Sequence, residues 1–264
     1  MNHKRYIKFI FAFLPLWVSA QEDARTRFEA LQKLEWKEIF EDSGRGDWHL
    51  KWFLDGDLAK VENSAEGMTI HAGPTAKSDA DHAVLWTKDV FEGENLKIEY
   101  YFTRIDTSSA NSVNIIYIMA QGGAGKPLDI SEWAHERREP AMNKYYNYMN
   151  TYHISYAVSG TERSSESMNY VRGRRYMPSK GGGLPGTELF PEYMDVPLFE
   201  PGVTYKMTFI KAGRELFMRA EGNNKDMVFY FNASEFPSVE KGRIGLRQMF
   251  TRVSRYSDIK IYKQ

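Results

Sequence analysis

A histidine, a tyrosine and two arginines lie close together in the sequence and could together handle an acidic sugar. Along the strand-like run 152–157, alternation sends His153 to the face opposite the apolar side chains. Tyr170, Arg172 and Arg174 share one side of the next segment if it is extended, since strand side chains repeat with a period of two. Arginine can grip a carboxylate through two parallel hydrogen bonds, and histidine is a common general acid or base. These four residues are the candidate catalytic set.

The same residues also have plainer interpretations. His153 could be a strand histidine that hydrogen-bonds to a neighbour, and the arginines could belong to a solvated basic loop. Other residues on predicted strands or in an insertion could complete a sugar site by stacking or hydrogen bonding. These candidate substrate-binding residues are Asn114, Trp86, Trp133, Arg104 and Arg247.

A carboxylic acid beside a stacking aromatic would favour hydrolysis instead. The insertion after residue 120 carries several acids next to Trp133 and His135, and any of them could be a general acid. They are Asp129, Glu132, Glu136 and Glu139. A glycoside hydrolase is therefore an alternative, although charges on a helix surface are commonplace.

Two motifs that would indicate other chemistry fail on their residues. The run 122–126 resembles a phosphate loop, but Ala120 replaces its first glycine and Pro127 replaces the magnesium-binding Ser or Thr. The Glu-x-Asp-x-x-Glu signature of retaining glucanases, which places three carboxylates on one strand face, does not occur in the sequence. Nucleotide binding and laminarinase-like double displacement are therefore disfavoured.

The sequence predicts no cofactor. None of the spacings among the six histidines matches a zinc site. A structural calcium needs only oxygen ligands, so Asp55, Asp57 and Glu62 leave such a site open.

Ten runs of alternating, β-branched and aromatic residues predict strands separated by Gly, Asn, Asp and Pro turns. They are 66–72, 82–88, 96–104, 112–120, 152–158, 204–211, 215–221, 227–232, 242–249 and 256–262. This number of strands indicates a two-sheet sandwich. Before it, the apolar spacing over residues 22–40 predicts one short amphipathic helix.

Two long insertions, at about 121–150 and 159–202, interrupt the strands and are rich in Gly and Pro. Insertions of this length tend to be binding loops, so we expect them to wall the site. The first contains a candidate helix over residues 129–138. Residues 21–264 are otherwise interpreted as one domain, since β-sandwiches reach this size.

The first twenty residues predict a cleaved signal peptide. Three basic residues precede the apolar run 9–18, and Val18-Ser19-Ala20 supplies small residues for the peptidase. The apolar run is about half of the ~20 residues that a spanning helix requires, so no stable membrane insertion is expected after cleavage. The sequence contains no cysteine, so neither a disulfide framework nor a lipid-modified cysteine is available. A periplasmic or secreted protein is predicted.

Charge argues against nucleic acid as a partner. Removing the three basic residues of the first twenty leaves 32 Lys and Arg against 35 Asp and Glu. A surface for phosphate backbones normally shows a basic excess. The aromatic content is high, with 16 Tyr, 16 Phe and 6 Trp, which suits a sheet core and also provides flat faces for sugar rings.

Five separated motifs, in the expected order, match those of a bacterial family. They are AVLWTK at 83–88, IEYYFTRID at 98–106, MNTYHISY at 149–156, YVRGRRYMP at 170–178 and GRIGLRQMFTR at 242–252. Over most of residues 36–264 the chain resembles the YesU-like family of unknown function. The resemblance implies an all-β, concanavalin A-like jelly-roll sandwich and a link with rhamnogalacturonan utilisation. It implies no established reaction.

The leading functional hypothesis is an exported protein that acts on an acidic polysaccharide, or its oligosaccharides, by β-elimination. Arg and Asn would neutralise the uronate carboxylate, His or Tyr would remove the neighbouring proton, and Tyr would protonate the leaving oxygen. A non-catalytic carbohydrate-binding module is the main alternative, because it needs the same sandwich and aromatics but no titrating residue. In either case we expect His153, Arg172 and Arg174 to belong to one site on the concave sheet.

Overall fold

The computed structural model describes residues 14–75, 78–108, 112–159, 169–178 and 183–264, with side chains from Glu22 onward. Within these ranges the helices are α1 (Leu14–Gln32) and α2 (Met142–Tyr148). Three 3-10 helices accompany them, at Trp48–Leu50, Asp79–Asp81 and Ile130–Arg137. Residues 1–13, which form most of the predicted signal peptide, lie outside the described part of the chain.

Strands make up most of the remaining structure. In chain order they are β1 (Lys37–Asp42), β2 (Trp52–Asp55), β3 (Lys60–Ser64), β4 (Gly67–His71), β5 (Ala83–Thr87), β6 (Phe91–Glu92), β7 (Asn95–Arg104), β8 (Ser112–Gly122), β9 (Met149–Ser159), β10 (Val171–Tyr176), β11 (Glu188–Tyr193), β12 (Thr204–Ala212), β13 (Glu215–Gly222), β14 (Lys225–Asn232), β15 (Lys241–Gln248) and β16 (Val253–Lys263). All ten strands expected from residue alternation are present.

The strands form two antiparallel sheets. Sheet A has the order β14-β13-β12-β7-β16-β4-β3, and β1 pairs with the far end of β16. Sheet B has the order β11-β10-β9-β8-β15-β5-β2, and β6 pairs with the start of β15. The fold is a concanavalin A-like jelly-roll sandwich with an N-terminal helix.

The main core lies between the two sheets. On β9 it takes Tyr152, Ile154 and Tyr156, while His153 faces the other way. The predicted alternation therefore holds along most of this strand. It fails at Ala157, which joins the inner core because its backbone adopts a left-handed conformation with φ 52°.

The predicted helix over residues 22–40 is wrong in its second half. Helix α1 ends at Gln32, and residues 37–42 form β1. Lys37 lies opposite Lys263 on β16, and Phe40 is buried against Trp52 with ring centroids 5.7 Å apart. Pairing with the last strand decides the conformation here, because tertiary context overrides a weak helical pattern.

Helix α1 packs on the outer face of sheet A. Phe28 lies 6.3 Å from Phe217 between ring centroids, and Arg25 forms a 2.7 Å ion pair with Asp226. The cleavage site predicted after Ala20 falls within this helix. The contacts that dock the helix come from residues after that site, so cleavage would leave them intact.

The insertions are more ordered than expected for loops. The first carries the 3-10 helix at 130–137, as predicted, and also α2. The second supplies β10 and β11, which extend sheet B beyond β9. In register, Arg174 lies opposite His153 and Arg172 lies opposite Ser155.

Candidate functional site

The outer face of sheet B, which points away from sheet A, has two different halves. Over β2, β5 and β15 the first insertion closes on the sheet and forms a satellite core; we call this region the covered half. Trp86, Ile130, Trp133 and Tyr145 are all buried in it. Over β9, β10 and β11 the side chains of Arg172 and Arg174 retain 25% and 12% exposure. We call this region the partly exposed half.

Asp55 anchors the covered half. Its Oδ2 accepts hydrogen bonds from Arg137 Nε at 2.6 Å, Trp86 Nε1 at 2.7 Å and Tyr145 Oη at 3.0 Å. Asp55 and Arg137 are both fully buried. Burial raises the pKa of Asp55, and the positive charge of Arg137 opposes that rise. One carboxylate at the end of β2 thus holds both helices of the insertion on the sheet.

Arg247, on β15, is buried between sheet and insertion. Its Nη2 lies 2.6 Å from His82 Nδ1 and donates to the carbonyl of Pro140 at 2.8 Å. Its guanidinium carbon sits 4.6 Å from the centre of the Tyr145 ring. Burial, together with the charge of Arg247, lowers the pKa of His82 to about 3. Arg247 therefore faces a neutral imidazole on the same sheet face as His153.

His153 lies at the border of the two halves, with 3% exposure. Its Nδ1 is 2.5 Å from Tyr176 Oη and its Nε2 is 2.6 Å from Ser155 Oγ. Burial lowers the pKa of His153 well below its ordinary value, and the charges of Arg174, Arg247 and Arg172 lower it further. The imidazole is therefore neutral at pH 7, and a tyrosine hydroxyl lies against one nitrogen.

Arg172 and Arg174 line up on β10 beside this histidine, and each has a glutamate partner on β11. Arg172 Nε lies 2.8 Å from Glu192, and Arg174 Nη1 donates to Glu188 at 2.8 Å. Burial alone would raise the pKa of Glu188, but its hydrogen bonds and Arg174 outweigh that effect and lower it. The local charge of this cluster is thus balanced.

Tyr170 completes the cluster. The guanidinium carbon of Arg172 lies 4.4 Å from the centre of its ring, within cation–π range. Burial raises the pKa of Tyr170, and the nearby arginines counteract part of that rise. Tyr170, Arg172, Arg174 and His153 form one continuous patch, which we call the outer-face site. The structure thus brings together the residues predicted as the catalytic set.

Sequence reasoning missed the tyrosines beneath this patch. Tyr176 contacts His153, and Tyr117 stacks on Trp86 with ring centroids 5.3 Å apart. Tyr117 also meets His153 edge-on at 5.6 Å. Tyr176 shares strand parity with Arg174 and could have been found that way. Tyr117 could not, because an aromatic residue in an apolar strand reads as core.

The structure does not bring the predicted substrate-binding residues together. Asn114 lies inside the sandwich and donates to Ser254 and Tyr256, each at 3.1 Å. Arg104 lies on sheet A, where it pairs with Asp106 at 3.1 Å. Neither side chain faces the outer-face site.

Trp86, Trp133 and Arg247 lie on the correct face but have 0–2% exposure. Trp86 is covered by Tyr145, and Trp133 by the guanidinium of Arg137, 4.2 Å from the ring centre. The expected wall is thus a lid packed onto these residues. No sugar can stack on either indole in this arrangement.

The three carboxylates considered for calcium do not converge. Asp55 is held by Arg137, Asp57 pairs with Arg138 at 2.7 Å, and Glu62 contacts both Lys60 and His71 on sheet A. Among the described residues no cluster of His, Cys, Asp or Glu could hold a metal ion.

The acids of the first insertion are poorly suited to acid catalysis. Burial opposes the shift, yet hydrogen bonds from Arg243 and Ser131 lower the pKa of Asp129 to about 2. A hydrogen bond from Lys126 lowers the pKa of Glu136. Both are ionised at neutral pH, whereas a general acid must hold its proton.

The family comparison covers most of the chain. Residues 47–261 match the family model described as a domain of unknown function, DUF1961. No curated protein matches the chain in sequence. In the described residues there is no helix with the length and apolar character needed to cross a membrane.

Solved structures share the fold. A protein of unknown function with a galectin-like fold from Bacillus subtilis has a TM-score of 0.64 and 16% identity, and the match covers 86% of this chain and 98% of that one. The exoplasmic/lumenal domain of VIP36, in its Ca2+- and Man3GlcNAc-bound form, has a TM-score of 0.54 and 10% identity over 87% and 91%. The metal-free Emp46p carbohydrate recognition domain has a TM-score of 0.52 and 14% identity over 87% and 98%.

Proposed function

The chain belongs to the DUF1961 family, and we propose that it is an exported protein that binds a saccharide at the outer-face site. The observation that carries this proposal is the ordered patch on β10. A tyrosine ring and two arginines lie at a partly exposed surface, each arginine fixed by a glutamate. Saccharides need a flat apolar face and several oriented hydrogen-bond groups, and both are present here. The sugar-binding neighbours with this fold support the same ligand class.

Binding to defined oligosaccharides tests this proposal. Tyr170→Ala should weaken the affinity about ten-fold, since an aromatic contact worth about 1.4 kcal/mol corresponds to a factor of ten. Tyr101→Ala is the matched control, because Tyr101 is 43% exposed on sheet A. Titration calorimetry with oligogalacturonides and neutral galacto-oligosaccharides measures both. Equal affinity of Tyr170→Ala and wild type for every saccharide that binds would contradict the site.

An acidic glycan remains the expected ligand, but the ion pairs set a condition on it. Because Glu192 and Glu188 neutralise Arg172 and Arg174, a sugar carboxylate must displace or add to them. Arg172→Lys should weaken an acidic ligand more than a neutral one, since an ammonium cannot reproduce the planar grip. Equal losses for both ligands would show that the arginine only shapes the site.

The second candidate function is β-elimination, favoured by the contact between His153 and Tyr176 beside Arg174. In this reaction the neutral imidazole takes the proton next to the uronate carboxylate. The electron pair forms the carbon–carbon double bond, and the leaving oxygen takes a proton from a tyrosine hydroxyl. Hydrolysis is less supported, because Asp129 and Glu136 are ionised.

An ultraviolet assay for unsaturated ends separates catalysis from binding. Pectic, alginate and ulvan-type substrates are tested with wild type and with His153→Gln. Turnover by wild type that is lost in His153→Gln, with saccharide affinity kept, supports the lyase. The control is His71→Gln, a change on sheet A. Binding without any turnover leaves the protein as a binding module.

Export is proposed on the signal-like first twenty residues. Intact-mass analysis of periplasmic or secreted material should give a chain that begins at Gln21. Material that begins at Met1 would contradict the proposal.

A further inference from the structure

Arg175 differs from the two arginines beside it on β10, because it points to the other side of sheet B. It is 1% exposed. Its guanidinium donates to the carbonyl of Tyr176 and, at 3.1 Å, to that of Pro237, and it lies 5.1 Å from the centre of the Tyr152 ring. Its two neighbours each have a glutamate. Arg175 has no ion pair with any carboxylate in the described part of the chain.

A second buried cation lies on the same side. Lys211 is 1% exposed, and its Nζ donates to the carbonyl of Glu94 at 2.6 Å and lies 6.0 Å from the centre of the Tyr152 ring. Burial lowers the pKa of Lys211 to about 8, while the carboxylates of Glu240 and Glu94 oppose that shift. Burial also lowers the pKa of Arg175 to about 10. Both groups remain charged at neutral pH, so positive charge is in excess here.

A cleft opens beside Arg175 at the end of the sandwich. It has a volume of about 280 Å³ and is lined by polar side chains from four segments, together with Met177 and the prolines 178 and 237. Those polar residues are Gln121, Asn150, Arg175 and Ser238. Arg175 Nε and Ser238 Oγ are both buried without a hydrogen-bond partner in the protein. Buried polar groups are usually paired, so two unpaired donors on one cleft call for a ligand.

We propose that this cleft, the Arg175 cleft, binds an oxyanion, either the carboxylate of an acidic sugar or a sulfate. An anion would supply the missing counter-charge and would accept from the guanidinium and the serine hydroxyl. A larger cleft of about 420 Å³, which shares Gln121 and Leu128 with the first, adjoins it. A sugar chain that carries the carboxylate could therefore continue past Leu128, which is 69% exposed.

Thermal unfolding of the full mature protein tests the Arg175 cleft with small probes. The probes are galacturonate and sulfate, with galactose as the neutral control and chloride at equal ionic strength as reference. At saturating probe, wild type should gain about 3 °C in Tm over Arg175→Met. Comparison with the variant removes the general stabilising effect of sulfate, which acts on both proteins. Arg172→Met is the matched control on the same strand and should respond like wild type.

Two further measurements keep the proposal falsifiable. Without a probe, Arg175→Met should unfold at the same or a higher temperature, because an apolar isostere removes a buried charge. Ser238→Ala, a milder change, should reduce the response. A response to galacturonate identifies a sugar carboxylate, and a response to sulfate alone identifies an inorganic or ester sulfate; each supports the site.

Equal responses of wild type, Arg175→Met and Ser238→Ala would overturn it, as would a lower Tm of Arg175→Met together with no anion effect in wild type. This site does not depend on the outer-face site. Loss of saccharide binding in Tyr170→Ala tests that other proposal and leaves the anion response unchanged.

Discussion

The two halves of the outer face of sheet B use charge in opposite ways. In the covered half, Asp55 and Arg137 are completely buried and hold the insertion on the sheet. In the partly exposed half, Arg172 and Glu192 keep 25% and 29% exposure and hold nothing but each other. Both are arginine–carboxylate pairs at 2.6–2.8 Å. Distance alone therefore does not tell a structural pair from one that is available to a ligand.

Burial makes the difference. Breaking a buried pair leaves an uncompensated charge in the interior and is strongly destabilising, whereas an exposed pair contributes little to stability. The fold therefore depends on the charges of the covered half. Those of the partly exposed half can rearrange around a ligand at low cost, which is a property that a binding site needs.

The largest effect is expected for Asp55→Asn. It leaves Arg137 buried without a counter-charge, so the free energy of unfolding should fall by about 3–5 kcal/mol in a denaturant titration. The control is Asp57→Asn, two residues away, whose partner Arg138 is 74% exposed; it should cost less than about 1 kcal/mol. Equal losses in the two variants would break the comparison.

Trp86→Ala should be of similar size, about 3–5 kcal/mol, because it empties the centre of the satellite core. The indole packs on Gly245 across the strands, where a Cβ atom would come within 2.4 Å of the ring. Tyr170→Ala, in the other half, should cost less stability and affect mainly saccharide affinity. A small loss in Trp86→Ala would mean that the insertion contributes little to the fold.

Two buried histidines, one near each half, give a pH dependence. The folded-state pKa values of His82 (about 3) and His153 lie below the unfolded value, so the unfolded chain takes up protons first as the pH falls. Stability is therefore fully present above about pH 6.5 and declines below it, by up to about 1.4 kcal/mol per pH unit for each histidine. Denaturant titrations between about pH 7 and pH 5.5 measure this slope.

His153→Gln should remove about half of that slope. His71→Gln should leave it in place, because His71 has 36% side-chain exposure. A slope that is unchanged in His153→Gln would show that this imidazole is not held neutral by the fold.

The smallest stability effect is expected for Glu192→Gln. The ion pair with Arg172 is partly exposed, so its loss should change the free energy of unfolding by less than about 1 kcal/mol. The same change frees the arginine, so affinity for an oligogalacturonide should rise while affinity for a neutral oligosaccharide stays constant. A weaker acidic ligand would indicate that Glu192 orients the arginine for binding.

Much of the fold could be predicted from alternation. Residues 152–156 show why: three apolar side chains at a period of two leave His153 on the other face, and the structure keeps that order. The family resemblance, carried by short motifs around such strands, is confirmed. Beta strand β1 was missed, because its pairing partner on β16 is more than 200 residues away and leaves no local signal.

The candidate site was predictable only in part. Strand parity was enough to group Arg172 and Arg174 with His153. It could not show that Glu188 and Glu192, on a strand inside a Pro-rich insertion, neutralise the arginines. Nor could it show that the insertion folds down over Trp86, because that depends on Asp55, Arg137 and Tyr145 meeting across three separate segments.

The position of β16 sets the order in which the molecule can assemble. This strand lies between β7 and β4 in sheet A and also pairs with β1, so residues 253–263 join strands that are synthesised long before them. Such pairings between distant parts of a chain make folding slow, because a large loop must close before they form. During export, the early strands therefore wait unpaired until the last strand arrives. Slow closure keeps the chain extended while it is transported, and the native sheet forms on the far side.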